Sequence, residues 1–154
     1  MSKHTVTVDW ALNGGDFLGK KYSRVHRMTF EGGVSVPGSA SPRVVPLPWS
    51  SHEAVDPEAA FVASLSACHM LWFLDHAGQR GFTVESYVDA AEGILGRLPG
   101  EKKLVMTKVT LRPKVGFSGA RQPTAEELQA LHHAAHEDCF IANSVKTEVV
   151  VEAT

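Results

Sequence analysis

The longest apolar run in the chain extends from Asp56 to Gly81 and predicts a helix of about five to six turns. Asp56 is a good N-cap, Pro57 suits the first helical position, and Glu58 favours the positive end of the helix dipole. Gly78 and Gly81 supply the stop. Because apolar residues occupy every side of this helix rather than one stripe, we expect it to be buried on most sides.

We do not expect this helix to cross a membrane. His69 interrupts the apolar run, and Asp75 and His76 end it. The uninterrupted apolar stretch is therefore shorter than the ~20 residues that a bilayer requires.

Alternation of apolar and polar residues predicts strands in most of the remaining chain. These strands are residues 4–12, 20–30, 34–36, 82–98, 104–117 and 145–152. The fourth and fifth form a long antiparallel hairpin around the turn at Pro99 and Gly100. Thr124 and Glu127 have the spacing of a capping box, which predicts a second helix that ends near Glu137.

The element order is therefore β-β-β-α-β-β-α-β, which predicts an α+β fold of antiparallel sheets with a long buried central helix and a second helix. At 154 residues we expect residues 1–154 to form a single domain. One chain offers too few layers to cover both the sheets and the central helix. We therefore expect an intertwined homodimer in which two sheets enclose a pair of buried helices.

The strand at 20–30 aims one arginine toward the interior. Arg24 falls on the same face as Tyr22, His26 and Met28, whereas Arg27 falls on the opposite face. A buried guanidinium without a partner costs several kcal/mol, so an inward Arg24 requires an anion. The alternative is that Arg24 lies near the sheet edge and extends its charged end into solvent.

Composition restricts the class of function. The chain is 44% hydrophobic and 21% charged with a net charge of −2, so we expect no nucleic-acid partner. The N-terminal segment lacks the apolar core of a signal peptide, and we expect a cytoplasmic protein. In that compartment Cys68 and Cys139 are expected to be redox-active, catalytic or inert rather than a structural bridge.

The two cysteines, Arg24 and Glu58 together could perform redox chemistry. Peroxide reduction requires a thiolate, and a fixed positive charge such as Arg24 favours the ionised thiol. A carboxylate such as Glu58 could hold the guanidinium in place, and the second cysteine could condense with a sulfenic acid to form a disulfide. Spacing alone is a weak signal here, and two inert core cysteines are the competing interpretation.

A metal site is a further alternative. His136 and Cys139 have the i, i+3 spacing of two ligands on one helix. Cys68 and His69 are adjacent and point about 100° apart on a helix, so they are poor partners for one ion. Paired Cys-x-x-Cys spacings are absent from the sequence, and we expect neither a metal nor a cofactor.

Three segments carry a resemblance to a known family. The segments DPEAAFVASLSACH, YSRVHRMTFEGG and AHEDCFIANSVKTEVVV resemble, in the same order, the OsmC-like branch of the OsmC/Ohr superfamily. The resemblance implies a cysteine-based peroxidase for organic hydroperoxides that works as a homodimer with its active sites at the subunit interface. By motif position, Cys68 resembles the peroxidatic cysteine, Cys139 the resolving cysteine, Glu58 the motif carboxylate and Arg24 the activating arginine.

The resemblance also implies an external dithiol of the lipoyl type as reductant. An apolar mouth that favours alkyl or lipid hydroperoxides would be formed by Phe61, Leu65, Trp72, Trp49 and Leu47.

Two features keep alternatives open. Arg27 and Arg43 are nearby candidates for the activating arginine. Phe140 follows Cys139 where well-known members of the family carry proline. This departure motivates the alternative of a non-catalytic relative that binds a small apolar ligand or senses oxidants through its thiols.

Overall fold

The computed structural model describes residues 1–153, and the chain divides into two compact units, one of residues 1–60 and one that begins at Phe61. The first unit contains three strands, which are β1 (Val6–Asp9), β2 (His26–Phe30) and β3 (Ser35–Gly38). The helix α1 (Pro57–Gln79) begins at the end of this unit. The second unit contains β4 (Thr83–Asp89), β5 (Glu92–Gly96), β6 (Val105–Leu111), β7 (Pro113–Ser118), α2 (Ala125–Asp138) and β8 (Glu148–Val151). The predicted α+β class is confirmed.

The first unit is a three-stranded antiparallel sheet in the order β1-β2-β3. Every second residue leading into β2 is half-buried, in the series Tyr22, Arg24, His26 and Met28, and the residues between them are exposed. The predicted inward face of this segment is therefore confirmed. Gly38 lies opposite His26 in the register, and a Cβ atom there would lie 2.2 Å from His26 Nε2, so glycine leaves the space for this ring.

The predicted long hairpin is present but is interrupted in both arms. β5 pairs with β6 near the turn, and β4 pairs with β7 farther away, both antiparallel. At the interruption the Asp89 carboxylate accepts a hydrogen bond from the backbone N–H of Arg112, at 2.6 Å, and Pro113 cannot donate one. Where the two arms are interrupted, a side-chain acceptor thus takes the place of the hydrogen bonds between the strands.

The sequence predicts antiparallel sheets, but one strand pair in the structure is parallel. β8 pairs with β6 in the parallel sense, with Glu148 opposite Lys108 and Val151 opposite Leu111. Parallel pairs require a long crossover, which α2 supplies here. The capping box that begins α2 is confirmed, because the Thr124 hydroxyl accepts from Glu127 N and the Glu127 carboxylate accepts from Thr124 N.

The ends of α1 follow from the sequence. Asp56 Oδ1 accepts a hydrogen bond from Ala59 N at 2.8 Å, which confirms the N-cap. At the other end Gly81 adopts a φ of 77°, and the Phe82 N–H donates to the Ala77 carbonyl at 2.9 Å. This left-handed turn ends the helix. Gly78 lies inside α1, so Gly81 alone supplies the stop.

Within one chain α1 is buried along a single stripe. The buried residues recur at every fourth position, as Leu65, His69, Phe73 and Ala77. Leu71 is 63% exposed, so the expectation of burial on most sides is not met by one chain. By length and composition alone, this helix of 23 residues could cross a bilayer. Length and composition therefore do not decide the matter, and the expectation that α1 does not cross a membrane stays a prediction.

Two hydrophobic clusters form the core of the second unit. Phe73 and Ala77 of α1 pack with Phe82 and with Leu131 and Ala135 of α2. The second cluster consists of Leu65, Val109 and Leu111, which join α1 to β6. The buried stripe of α1 thus fixes this helix between α2 and the sheet. Dispersion contacts and removal of apolar area from water stabilise that arrangement.

Two histidines lie between these clusters, a feature that the sequence analysis did not identify. His69 Nε2 and His132 Nδ1 are 3.1 Å apart, the two rings are parallel, and each residue is less than 5% exposed. The pKa of each is lowered to about 4, mainly by burial. In the neutral pair one nitrogen donates and the other accepts. His69 Nδ1 and His132 Nε2 have no hydrogen-bond partner among the described residues.

The histidine pair predicts a loss of stability in acid. The unfolded chain binds protons at a pKa of about 6.5, whereas the folded pair binds them at about 4. Unfolding therefore takes up protons between these values, and the free energy of unfolding falls as the pH is lowered through this window. Between pH 7 and pH 5 we expect a loss of about 2 kcal/mol for each histidine that titrates, measured by urea unfolding.

A double variant isolates the contribution of the pair. Asn approximates the donor position of Nδ1 and Gln that of Nε2, so His69→Gln/His132→Asn keeps a hydrogen-bonding pair that does not titrate. We expect its stability to vary less with pH than that of the wild type. The exposed neighbour His133→Gln serves as the control and should retain the wild-type slope. An unchanged slope in the double variant would contradict this assignment.

Candidate functional site

The two cysteines are both free thiols but differ in exposure. Cys68 lies near the middle of α1 and is half-buried. Cys139 caps the C-terminal end of α2 and is 1% exposed. Cys68 is therefore the thiol that a molecule from solvent reaches more easily.

The two thiols are neighbours although 71 residues separate them in the chain. The pKa of Cys139 is raised to about 11, first by burial and then by hydrogen bonding and charge interaction with the Cys68 thiol. The backbone N–H of Ala142 donates to the Cys139 sulfur at 3.4 Å and opposes part of this increase. The folded chain thus brings together the two sulfurs that the sequence predicts as a redox pair.

A turn after α2 holds Cys139 in place. The Asn143 side-chain amide donates to the carbonyls of Glu137, at 2.7 Å, and of Cys139, at 3.1 Å. The Asn143 backbone N–H also donates to the Cys139 carbonyl. Asn143 therefore satisfies carbonyls that a helix end leaves without partners. This residue was not identified from the sequence, since only the observed turn shows its role.

The residues on either side of Cys139 contact the C-terminal half of α1. Asp138 accepts a hydrogen bond from His76 at 2.9 Å. Phe140 is 69% exposed and packs edge-on against Trp72, with ring centroids 5.3 Å apart. Phe140 thus covers part of Trp72 next to the cysteine pair. The residue that departs from the family pattern has a defined packing role here.

Arg24, in the first unit, is anchored by main-chain carbonyls. Its Nη1 donates to the carbonyls of Lys20, at 2.8 Å, and of Tyr22, and its guanidinium lies 3.7 Å from the centre of the Tyr22 ring. Of the three candidate arginines, only Arg24 is half-buried, whereas Arg27 and Arg43 are exposed. The orientation that the strand pattern predicts is therefore present, and the activating role stays a prediction.

Glu58 does not hold Arg24 in this chain. It lies half-buried in the first turn of α1. Among residues 1–153 the ion pairs involve other groups, so the expected contact of the Glu58 carboxylate with the guanidinium is not formed. Glu58 and Cys68 are ten residues apart on α1, or ~15 Å along its axis, so these two side chains do not meet within one helix.

The five residues predicted to form an apolar mouth have different environments. Leu65 is fully buried in the cluster with Val109 and Leu111, so it belongs to the core and is not accessible to a substrate. Phe61 is partly buried against the same cluster, and Trp72 packs against the other. Trp49 is half-buried, and its carbonyl accepts the Arg24 backbone N–H. Leu47 is 55% exposed.

Within residues 1–153 no three His, Cys, Asp or Glu side chains are grouped closely enough to hold a metal ion. His69 follows Cys68 in the sequence but is hydrogen-bonded to His132 in the core. His136 and Cys139 thus remain a pair of possible ligands without a third.

Comparison with known proteins identifies the family. The family model described as OsmC-like protein matches residues 50–154. No curated protein matches the chain. A solved OsmC-like protein of unknown function from Vibrio cholerae is 52% identical, with a TM-score of 0.96 and full coverage of both chains.

More distant structures share the fold. An organic hydroperoxide resistance protein of Bacillus subtilis is 20% identical with a TM-score of 0.66, covering 99% of this chain and 98% of that chain. One from Legionella pneumophila is 22% identical with a TM-score of 0.64, covering 99% and 96%. The family match and the Vibrio cholerae structure agree with the segments that carry the resemblance. This chain belongs to the OsmC-like family.

Proposed function

We propose that this protein is a thiol-dependent peroxidase that reduces organic hydroperoxides to alcohols. The observation that carries the proposal is the proximity of the half-buried Cys68 thiol to the buried Cys139 thiol, whose pKa is raised by burial and by this neighbouring thiol. Relatives with the same fold are named for resistance to organic hydroperoxides, which supports this substrate class.

The different environments of the two thiols suit them to different steps. Burial and the neighbouring thiol keep the pKa of Cys139 near 11, so this residue stays protonated at neutral pH. A protonated thiol is a poor nucleophile, and Cys139 therefore does not compete with Cys68 for the peroxide. Cys68, which is more accessible, is the proposed peroxidatic residue.

The proposed reaction has three steps. The Cys68 thiolate attacks the terminal oxygen of the hydroperoxide, the O–O bond breaks, and the leaving alkoxide takes a proton to become the alcohol. Cys68 is then a sulfenic acid. The Cys139 sulfur attacks the Cys68 sulfur, the S–O bond breaks, and the hydroxyl leaves as water with the proton of the Cys139 thiol, which forms the disulfide. An external dithiol, of the lipoyl type by family resemblance, restores both thiols by exchange and becomes oxidised.

We propose that Arg24 supplies the positive charge that favours the Cys68 thiolate, with Arg27 and Arg43 as alternatives. Its anchored, half-buried guanidinium supports Arg24 over the two exposed arginines. Glu58 is the proposed partner carboxylate. The ~15 Å between Glu58 and Cys68 along α1 requires this carboxylate to come from another chain or to act through Arg24.

A homodimer would satisfy that requirement. Leu71 and Leu74 expose a side of α1 that is apolar, being 63% and 37% exposed. A second copy of the chain would cover this face, and burial of apolar area would drive the association. The proposed reaction needs no metal, cofactor, membrane or nucleic acid, and we propose that it takes place in the cytoplasm.

Substitution of each cysteine should have a different effect on peroxide consumption. Cys68→Ser should abolish consumption of cumene hydroperoxide in the presence of a lipoyl dithiol. Cys139→Ser should consume about one equivalent per chain and stop at a sulfenic acid, which dimedone labelling detects, because no second thiol forms the disulfide. Equal steady-state rates in wild type and Cys68→Ser would eliminate the enzyme and favour a ligand-binding or sensing relative.

Removal of the proposed activating arginine should lower the reactivity of the Cys68 thiol. Arg24→Met removes the charge, and we expect iodoacetamide to alkylate Cys68 at pH 7 about tenfold more slowly, because the thiolate is the reacting species. Arg27→Met, on the exposed face of the same segment, is the matched control and should react like the wild type. A slower rate in Arg27→Met alone would transfer the role to that arginine.

The proposed dimer predicts a charge-sensitive association. The wild type should sediment at twice the mass of the chain. Leu71→Lys/Leu74→Lys places charges on the exposed apolar side of α1 and should shift the protein to the monomer, since buried unpaired charges are costly. Gln79→Lys, exposed at the end of the same helix, should leave the mass unchanged. A monomeric wild type would contradict the dimer.

A further inference from the structure

The first unit contains an open pocket of about 460 Å³ whose aromatic wall has no part in the proposed peroxidase chemistry. Its lining includes the rings of Trp10, Phe17 and Tyr22, together with Arg24 and His26. Pockets of this volume accommodate small organic molecules. All of the lining residues come from the first unit.

The aromatic wall of the pocket is fixed before any ligand binds. Phe17 stacks on Tyr22 with centroids 4.8 Å apart, and Trp10 lies edge-on to Tyr22 at 5.5 Å. The indole N–H donates to the Ser23 carbonyl at 2.9 Å, which sets the orientation of the Trp10 ring. Trp10 and Phe17 are nevertheless 41% and 49% exposed. A preorganised and exposed aromatic surface is suited to a planar aromatic ligand.

The loop between β1 and β2 supports this wall. The backbones of Asp16 and Lys21 exchange hydrogen bonds of 3.0 and 2.8 Å, and Asp16 Oδ1 accepts from the Gly19 N–H. Gly15 has a φ of 94°, and a Cβ atom there would lie 2.4 Å from the Lys21 carbonyl. Glycine therefore permits the tight turn that brings Phe17 back over Tyr22.

The Arg24 guanidinium makes the pocket suited to an anionic ligand. Within the described residues, the Arg24 guanidinium donates two hydrogen bonds, both from Nη1 to backbone carbonyls. Its other nitrogens have no protein acceptor there. The lining contains no carboxylate. His26 Nδ1 donates to the Arg24 carbonyl, since a carbonyl only accepts, and this contact fixes the backbone beside the guanidinium. A half-buried cation with free donors favours a planar, bidentate acceptor.

We infer that this pocket binds a small aromatic carboxylate. The ring of the ligand stacks on the wall of Trp10, Phe17 and Tyr22, and its carboxylate accepts hydrogen bonds from the free nitrogens of Arg24. Arg24 is also the proposed activating arginine, so a bound carboxylate would occupy the donors that Glu58 is proposed to use. The inference itself rests only on contacts within the first unit.

The test compares ligands that differ only in the group facing Arg24. 2-Naphthoate is titrated into the purified protein by isothermal calorimetry, and 2-naphthalenemethanol, which lacks the charge, is the paired probe. We expect 2-naphthoate to bind at least about tenfold more tightly, because a guanidinium–carboxylate pair is the added interaction. Cyclohexanecarboxylate, which retains the charge but not the aromatic ring, should also bind more weakly. Equal affinities for 2-naphthoate and the alcohol would overturn the inference.

Variants of the lining residues test whether 2-naphthoate binds in this pocket. Arg24→Lys keeps the charge but loses the two-pronged donor, so it should weaken 2-naphthoate more than the alcohol. Phe17→Leu changes an exposed ring and should weaken both probes without unfolding the chain, as circular dichroism would verify. Arg27→Gln, on the opposite face, should bind like the wild type.

Two further results would also reject the inference. Absence of 2-naphthoate binding would do so, whether the pocket is empty or covered by a second copy. Unchanged binding in both Arg24→Lys and Phe17→Leu would place the ligand elsewhere. Because no peroxide is present, these results are independent of the peroxidase assay.

Discussion

The proposed chemistry depends on the proximity of the Cys68 and Cys139 thiols, which results from the packing of α1 against α2. Phe73 and Ala77 of α1 pack against Leu131 and Ala135 of α2. One turn before Phe73, the His69–His132 pair joins the same helices by a buried hydrogen bond. Cys68 precedes His69, and Cys139 follows the last turn of α2. The core therefore determines the position of both sulfurs.

In the proposed reaction, environment alone distinguishes the roles of two identical side chains. Cys139 is enclosed at a helix end, receives a backbone hydrogen bond, and has a raised pKa. Cys68 lies at the edge of the buried stripe and is only half-buried. Burial penalises the thiolate, so the enclosed sulfur stays a protonated thiol. The same physical effect keeps the histidine pair neutral, and the unit thereby depends on neutral pH for its stability.

Local patterns in the sequence predicted the local features well. The N-cap at Asp56, the capping box at Thr124 and the inward direction of Arg24 each depend on neighbouring residues, and the structure contains all three. Long-range features were not accessible in this way. The parallel pairing of β8, the His69–His132 pair and the aromatic pocket all bring together residues from distant segments. Periodicity predicts strands and helices but not which of them pair or pack together, so only the tertiary fold shows these features.

The apolar character of α1 illustrates the same limit. The sequence indicated burial on most sides, whereas one chain buries a single stripe and leaves Leu71 exposed. The most direct measurement of the central claim is the intact mass of the wild-type protein after one equivalent of cumene hydroperoxide, without reductant. The account predicts a loss of the mass of two hydrogen atoms, with a disulfide linking the Cys68 and Cys139 peptides of one chain. An oxygen adduct on Cys68 that persists beside a reduced Cys139, or no change in mass, would contradict it.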